Sequence, residues 1–171
     1  SLILGIRQPW GDYLADSQCL SPFGFADNLI RSGLNVSAVN LEVIMGVRGR
    51  GTYCRDISDL FQLLQLYALL GVPLNITLGY PSSDGFDPLA DPEMTAGAGW
   101  WKGGYDTQSQ SDWAKAFGTL ALSKPFVKTV YWTHFSDQFP HQFPSCGLIG
   151  HRGEEKQAIE AIRTIRQSYF S

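Results

Sequence analysis

Apolar positions recur along this chain with two different periods. Short runs of β-branched and aliphatic residues predict strands, whereas longer stretches with an apolar residue every three or four positions predict helices. The two patterns follow each other four times, in the order β-α-β-α-β-α-β-α. The predicted strands are residues 2–7, Val36 to Met45, Leu74 to Leu78 and Val127 to Thr133.

Capping and stop signals set the ends of the predicted helices. Serine or aspartate stands at several of the starts, and glycine or proline follows the ends of the first three. By these signals the helices cover about 22–32, the stretch from the Asp56 and Asp59 capping pair to Pro73, the stretch from Ser109 or Ser111 to about Lys124, and about 154–168.

Strands that alternate with helices indicate an α/β fold with a parallel sheet and right-handed crossovers. About four βα units correspond to half of a (β/α)₈ barrel, so we interpret residues 1–171 as one domain that forms such a half. Its edge strands are apolar and lack protective charges, which predicts that either a missing half or a second copy covers them. Because the chain begins inside a strand, we expect it to be cut from a longer protein. A doubly wound open sheet is the alternative fold.

Composition narrows the range of partners. The net charge is −3 and the basic residues are scattered, so neither a nucleic acid nor a membrane is an expected partner. Cys19, Cys54 and Cys146 predict free thiols, with one incidental disulfide as the alternative. No cysteine and histidine spacing typical of zinc is present, so the sequence predicts no metal and no cofactor.

Polar and aromatic residues follow the strands at their carboxyl ends, where parallel α/β proteins carry their sites. The stretch from Val127 to Gly153 is the strongest example, because a hydrophobic strand leads into a loop that contains His134 and His141. The candidate residues at the strand ends are Trp10, Asp12, Tyr80, Trp132, His134 and Asp137.

Two further features call for an explanation. Glu42 interrupts an apolar strand, and a carboxylate there is costly unless it is functional or is paired with a group such as Arg48 or the backbone. The long loop over about 80–108 carries Trp100 and Trp101, which predicts either a stacking role or an exposed insertion without a role in binding.

Several segments together resemble a known family. They are Lys124-Pro125-Phe126-Val127, Tyr131-Trp132-Thr133-His134-Phe135-Ser136-Asp137, Gly147-Leu148-Ile149, and Gly153 with Lys156-Gln157-Ala158. In this order they resemble the last βα unit of the family-ten glycoside hydrolases, which are mainly endo-xylanases. Leu70 to Thr77 resembles strand seven of that family, and Val39 to Glu42 resembles strand six. The resemblance therefore covers almost the whole chain as strands five to eight.

The resemblance implies a barrel that acts on a β-linked polysaccharide such as xylan, but the chain departs from the family at its catalytic positions. The nucleophile position is occupied by Leu78, and the strand-six histidine falls near Ile44. The acid/base glutamate lies on strand four, which this chain does not contain. Retaining hydrolysis needs two carboxyl groups about 5–5.5 Å apart, and Glu42 offers one.

The sequence is therefore compatible with three functions. The first is a glycoside hydrolase in which Glu42 is catalytic and the candidate residues at the strand ends bind sugar. The second is a noncatalytic barrel that binds carbohydrate or acts as a scaffold. The third is a half barrel that forms a homodimer. The first two imply a polysaccharide or oligosaccharide partner.

Overall fold

The structure, a computed structural model, describes residues 2–12 and 20–170. All four predicted strands and all four predicted helices are present, together with two short strands that we did not predict. The strands are β1 (Leu2–Arg7), β2 (Val36–Ile44), β3 (Gly46–Arg48), β4 (Leu74–Gly79), β5 (Thr95–Ala98) and β6 (Val127–Trp132). The helices are α1 (Pro22–Arg31), α2 (Ile57–Ala68), α3 (Thr107–Leu122) and α4 (Ala158–Phe170).

The four long strands form one parallel sheet in the order β1-β2-β4-β6. Each of these strands is followed by a helix, and neighbours in this order are also consecutive long strands in the sequence. This is the arrangement of a partial (β/α) barrel, which confirms the predicted fold class. Strands β1 and β6 are the two edges of this sheet.

One face of the sheet carries the hydrophobic core. Side chains alternate between the two faces of a strand, and on this face β2 contributes Val39, Leu41 and Val43. They are fully buried against residues such as Ala26 of α1 and Leu64 of α2. In the described part of the chain the helices pack against this face, and the opposite face corresponds to the interior of a barrel.

Stacked aromatic rings fill the core where α3 packs against β4 and β6. Tyr80 stacks on Trp113 at a centroid distance of 5.4 Å, and Trp113 stacks on Phe117 at 4.5 Å. Trp132 meets Trp113 edge-on at 6.2 Å, and Trp101 also lies in this core. Such ring pairs contribute roughly 0.5–1.5 kcal/mol each beyond the area they bury.

The structure corrects the sequence prediction in the long loop. Residues 95–98 form β5, which pairs antiparallel with β3, so the loop over 80–108 contains regular structure. Within this loop Trp101 is buried, whereas Trp100 is exposed. The pairing was missed because each strand is short and its partner is distant in the sequence.

Two helix starts also differ from their predictions. Helix α3 begins at Thr107, because the Asp106 carboxylate accepts a hydrogen bond of 2.6 Å from the amide of Ser109 and caps the helix earlier than either predicted serine. Helix α4 begins at Ala158 rather than at 154, because the backbone of Lys156 pairs with Leu148.

The cysteines that the structure describes, Cys54 and Cys146, are free thiols. Burial raises the pKa of the Cys54 thiol to about 11, so it is protonated at neutral pH. The third, Cys19, lies outside the described residues. Within the described part of the chain, no helix is long and apolar enough to cross a membrane.

We expect two leucines at α2 to differ in how much their replacement lowers the free energy of unfolding. Leu64 is fully buried, so Leu64→Ala should lower the free energy of unfolding by about 2–5 kcal/mol, through lost burial and a residual cavity. Leu69, the residue that ends the same helix, is 76% exposed, and Leu69→Ala should change stability by less than about 0.5 kcal/mol. Urea unfolding measures both, and equal effects would contradict this assignment of the core.

Candidate functional site

The sheet face opposite the helices, here called the inward face, is lined by polar side chains. The strand registers place Arg7, Glu42, Thr77 and Tyr131 in one row across the four parallel strands. A second row contains Gly5, Asn40, Asn75 and Thr129. The rows are linked by a hydrogen bond of 3.1 Å from the Thr77 hydroxyl to the amide oxygen of Asn40. Barrel interiors are commonly filled by branched aliphatic residues, so this polar face is suited to a site.

Glu42 is the one acidic residue within the described strands, and it is poorly satisfied. Its Oε2 lies 4.0 Å from Nε of Arg7, and its Oε1 is buried with no hydrogen-bond partner among the residues that the structure describes. Burial raises the pKa of this carboxyl above its usual value, and the Arg7 charge opposes the shift only in part. Arg48, the pairing partner considered from the sequence, instead donates to the backbone of Gly97.

A small apolar cluster forms where β2 ends and includes Ile44, two residues after Glu42. Its members are Ile44, Val47, Met94, Phe143 and Cys146. Gly79 makes this packing possible, because a Cβ there would lie 2.9 Å from both Ile44 and Thr133. Ile44, near which the resemblance placed a histidine, is thus part of this apolar cluster.

Trp10 and Asp12, the candidates at the end of β1, are both engaged by Arg55. The Arg55 guanidinium lies 5.0 Å from the centre of the Trp10 ring and forms an ion pair with Asp12. Asp12, Arg48 and Tyr53 line an adjoining cavity of about 270 Å³. The Trp10 ring also packs against the hydrophobic core.

Tyr80 and Trp132 are both predicted substrate contacts; Tyr80 lies in the core and Trp132 packs against it. Tyr80 is fully buried, and its hydroxyl donates to the carbonyl of Gly104 and accepts from the amide of Trp101. A sugar hydroxyl therefore cannot reach it in this structure. Trp132 is partly buried, and its indole nitrogen donates to the carbonyl of Cys146 at 2.7 Å. Both fix the loops at the strand ends.

His134 and Asp137 belong to a group of charged and imidazole side chains at the carboxyl ends of β4 and β6. We call it the histidine cluster, and it consists of His134, His141, His151, Asp87, Asp137 and Lys156. It contains all three histidines of the chain. The sequence interpretation pointed to His134 and Asp137 here but missed the contribution of Asp87, which follows no strand closely.

Asp137 is a buried member of the histidine cluster. Its carboxylate accepts hydrogen bonds from Lys156 at 2.5 Å, from the amide of Gly147 at 2.7 Å, and lies 2.8 Å from Nε2 of His134. Burial alone would raise the pKa of Asp137, but the hydrogen bonds from His134 and Lys156 outweigh burial and hold it well below its usual range. Position 147 must be glycine, because a Cβ there would lie 2.4 Å from Oδ1 of Asp137.

Asp87 organises the other side of the histidine cluster. Its Oδ2 lies 3.0 Å from Nε2 of His141 and 3.4 Å from Nε2 of His151, and it accepts from the amide of Ser145 at 2.8 Å. Ser145 has a φ of +52°, a conformation that is uncommon outside glycine. Its carbonyl accepts from Lys156, so the strained residue links the two aspartates.

Several solved structures share the fold of this chain. Xylanase 10B of Thermotoga maritima superposes with a TM-score of 0.57 at 16% identity, over 85% of this chain and 41% of its own. An endo-β-1,3-glucanase of glycoside hydrolase family 128 from Amycolatopsis mediterranei, solved with laminaripentaose, gives 0.53 at 15% identity, over 82% and 50%. A β-glucuronidase of Bifidobacterium dentium gives 0.53 at 13% identity, over 99% and 23%.

These similarities show the fold. The structural neighbours are xylanases and other barrel glycoside hydrolases, and the chain spans about two fifths of the length of the Thermotoga enzyme. That coverage agrees with the predicted half barrel. No protein-family profile matches the chain, and neither does the sequence of any curated protein.

The environment of Glu42 predicts a distinct dependence of stability on pH. The folded-state pKa of Glu42 lies above the unfolded value of about 4.3. Between these two pKa values the folded state binds more protons than the unfolded state, so the free energy of unfolding falls as pH rises. Glu42→Gln cannot ionise. Relative to the parent, its free energy of unfolding should therefore rise as pH increases above about 4.3.

Chemical denaturation at a series of pH values measures this difference. The matched control is Glu160→Gln on α4, whose side chain is 74% exposed, and the difference between this variant and the parent should stay flat. A flat difference for Glu42→Gln as well would show that Glu42 is not desolvated.

Proposed function

We propose that this chain is the carbohydrate-processing half of a (β/α) barrel glycoside hydrolase, with Glu42 as one of its catalytic carboxyl groups. The observation that carries the proposal is the state of Glu42, which stands half-buried on a polar inward face with one oxygen unpartnered among the described residues. A buried carboxyl without a hydrogen-bond partner lowers the stability of the fold, and such groups are typical of catalytic sites.

The raised pKa of Glu42 fits the role of proton donor. Glycosidic bond cleavage needs one carboxylic acid that protonates the leaving oxygen, and burial is how proteins keep such a group protonated near neutral pH. Arg7 lies close enough to stabilise the carboxylate that remains after proton transfer. A second carboxyl group must come from outside the described strands, which contain no other acidic residue.

The substrate class proposed is a β-linked polysaccharide such as xylan or β-1,3-glucan. Support comes from structures of similar fold, which include a xylanase solved with xylobiose and a glucanase solved with laminaripentaose. On this chain the polar groups of Asn40 and Thr77 and the exposed ring of Tyr131 lie on the same face as Glu42. We propose these three, with Trp10, Asp12 and His134, as sugar contacts, because aromatic faces and paired polar groups suit pyranose rings.

A noncatalytic carbohydrate-binding role is the second candidate. Leu78, which the resemblance aligns with the nucleophile, belongs to the hydrophobic core on the helix side of β4 and is 2% exposed. Strand β4 therefore offers no carboxylate to a sugar on the inward face. If the rest of the protein supplies no second carboxyl group, the inward face would bind glycans without cleaving them.

We further propose that the two sheet edges are closed by additional βα units in a longer protein. Edge residues Ile3 and Tyr131 are about half exposed, and an open groove of about 540 Å³ runs between β6, α3 and α4. The groove is lined by apolar side chains such as Val130 and Ile162. Apolar edges of this kind need a partner to avoid aggregation, and in isolation a second copy can supply it.

The hydrolase proposal predicts that Glu42→Gln abolishes turnover. In the full-length protein, release of reducing sugar from xylan or β-1,3-glucan should fall by at least about 10²-fold, the usual contribution of a general acid. Glu160→Gln is the matched control and should retain parental rates, because its carboxyl lies in solvent.

Two results would separate the candidates. Parental rates in Glu42→Gln would overturn the catalytic role. Calorimetric binding of xylo- or laminari-oligosaccharides without turnover in the parent would instead establish the noncatalytic role, and Tyr131→Ala should then weaken binding.

The open edges predict that the 171-residue chain associates with itself. Sedimentation should show dimers or larger species, and Ile3→Lys should shift them toward monomer, because a charge on an edge strand disfavours strand pairing. Leu69→Lys places the same charge on an exposed leucine away from the edges and should have no effect. A monodisperse monomer for the parent would contradict the prediction.

A further inference from the structure

We propose that three members of the histidine cluster, His134, Asp137 and His141, form a binding site for a divalent transition metal such as zinc. One donor atom from each of these residues lies within 4.8 Å of the others. Nε2 of His134 is 2.8 Å from Oδ1 of Asp137, and Nε2 of His141 is 3.9 Å from the same oxygen. Two imidazoles and a carboxylate are a common zinc set, and three protein ligands leave a position open.

The hydrogen bonding of His141 is the first independent support. Its Nδ1 lies 2.7 Å from the carbonyl of Phe139, which can only accept, so Nδ1 carries a hydrogen. In the neutral imidazole Nε2 then presents a lone pair. That lone pair faces Oδ2 of Asp87 at 3.0 Å, and two electron-rich atoms this close need a cation between or beside them, either a proton or a metal ion.

This arrangement also matches the way proteins orient metal-binding histidines. The nitrogen that does not bind the metal typically donates to a carbonyl or carboxylate, which fixes the tautomer and the direction of the other nitrogen. His141 has such a bond to Phe139, and its side chain is 3% exposed. The ring is therefore already held with Nε2 toward the two aspartates.

Charge supports a cation at this position. The side chains of Asp87 and Asp137 are both almost inaccessible to solvent, at 0% and 1% exposed. Lys156 neutralises one of these two charges through Oδ2 of Asp137, which leaves Oδ1 directed at the histidines. Asp87 has no lysine or arginine partner among the described residues, so a bound cation would supply the positive charge that it lacks.

Metal binding requires the ligand atoms to move. Tetrahedral zinc with bonds of about 2.0–2.1 Å places its ligand atoms roughly 3.3 Å apart, so the donors must shift by less than about 1.5 Å. The His134 and His141 rings now stack at 4.6 Å with 19° between their planes, and in-plane lone pairs of stacked rings do not converge. Metal binding therefore requires at least one of the two rings to rotate, and Nε2 of His134, which donates to Asp137 in the metal-free protein, must lose its hydrogen. Imidazole ligands favour zinc or cobalt over calcium or magnesium.

Calorimetric titration of the metal-free protein with Zn²⁺ tests the site. We expect one equivalent to bind with micromolar or tighter affinity, and the melting temperature to rise with Zn²⁺ but not with Mg²⁺. His141→Gln should weaken binding by at least about tenfold. His151→Gln is the matched control, because its ring is 41% exposed and lies outside the three donors, so affinity should change by less than about twofold.

Co²⁺ provides a readout that does not depend on the stability of any variant. Bound to the parent protein, it should give visible d–d bands of a nitrogen and oxygen site without a thiolate charge-transfer band. The proposal is overturned if the parent shows neither heat nor thermal stabilisation with Zn²⁺, since a proton then fills the gap beside His141. It is equally overturned by a thiolate band, or by loss of binding in His151→Gln but not in His141→Gln.

Discussion

A buried ion pair between Asp137 and Lys156 holds the loops at the carboxyl end of the sheet. The two side chains are almost inaccessible to solvent, and their contact of 2.5 Å joins the segment after β6 to the residues just before α4. Asp137 fixes Gly147 and His134, while Lys156 fixes Ser145, whose amide in turn fixes Asp87. Removing either partner leaves an uncompensated buried charge, at a cost of about 3–5 kcal/mol. The positions of all three histidines depend on this pair.

One face of the sheet provides stability, and the other carries the candidate site. The helix-facing side is closely packed around aliphatic residues and stacked rings, whereas the inward side exposes a polar surface on which Glu42 is left unsatisfied. The first face provides the burial that lets the second tolerate such a residue. Barrel enzymes show the same division, because their packed core provides stability and the residues at the carboxyl ends of the strands carry the chemistry.

The elements of this fold could be predicted from sequence because their signals are local. Periodicity and caps identified every long strand and helix, and alternation along β2 was enough to single out Glu42. The β3–β5 pairing and the histidine cluster could not be predicted, because their contacts join distant residues, such as His141 and Asp87, 54 positions apart. The burial of Tyr80 was also missed, since a position after a strand does not reveal whether a later helix will cover it.

The placement of Leu78 determines where a catalytic pair could be rebuilt. A carboxyl group at position 78 would enter the hydrophobic core beside Trp132 and α3 instead of facing a sugar. Position 79 has no room, since Ile44 and Thr133 crowd it. Thr77, however, is paired in register with Glu42 on the neighbouring strand, and neighbouring strands lie about 4.8 Å apart. Thr77→Glu would thus set two carboxyl groups near the roughly 5–5.5 Å spacing of retaining enzymes, which makes this face a starting scaffold for directed evolution of a glycosidase.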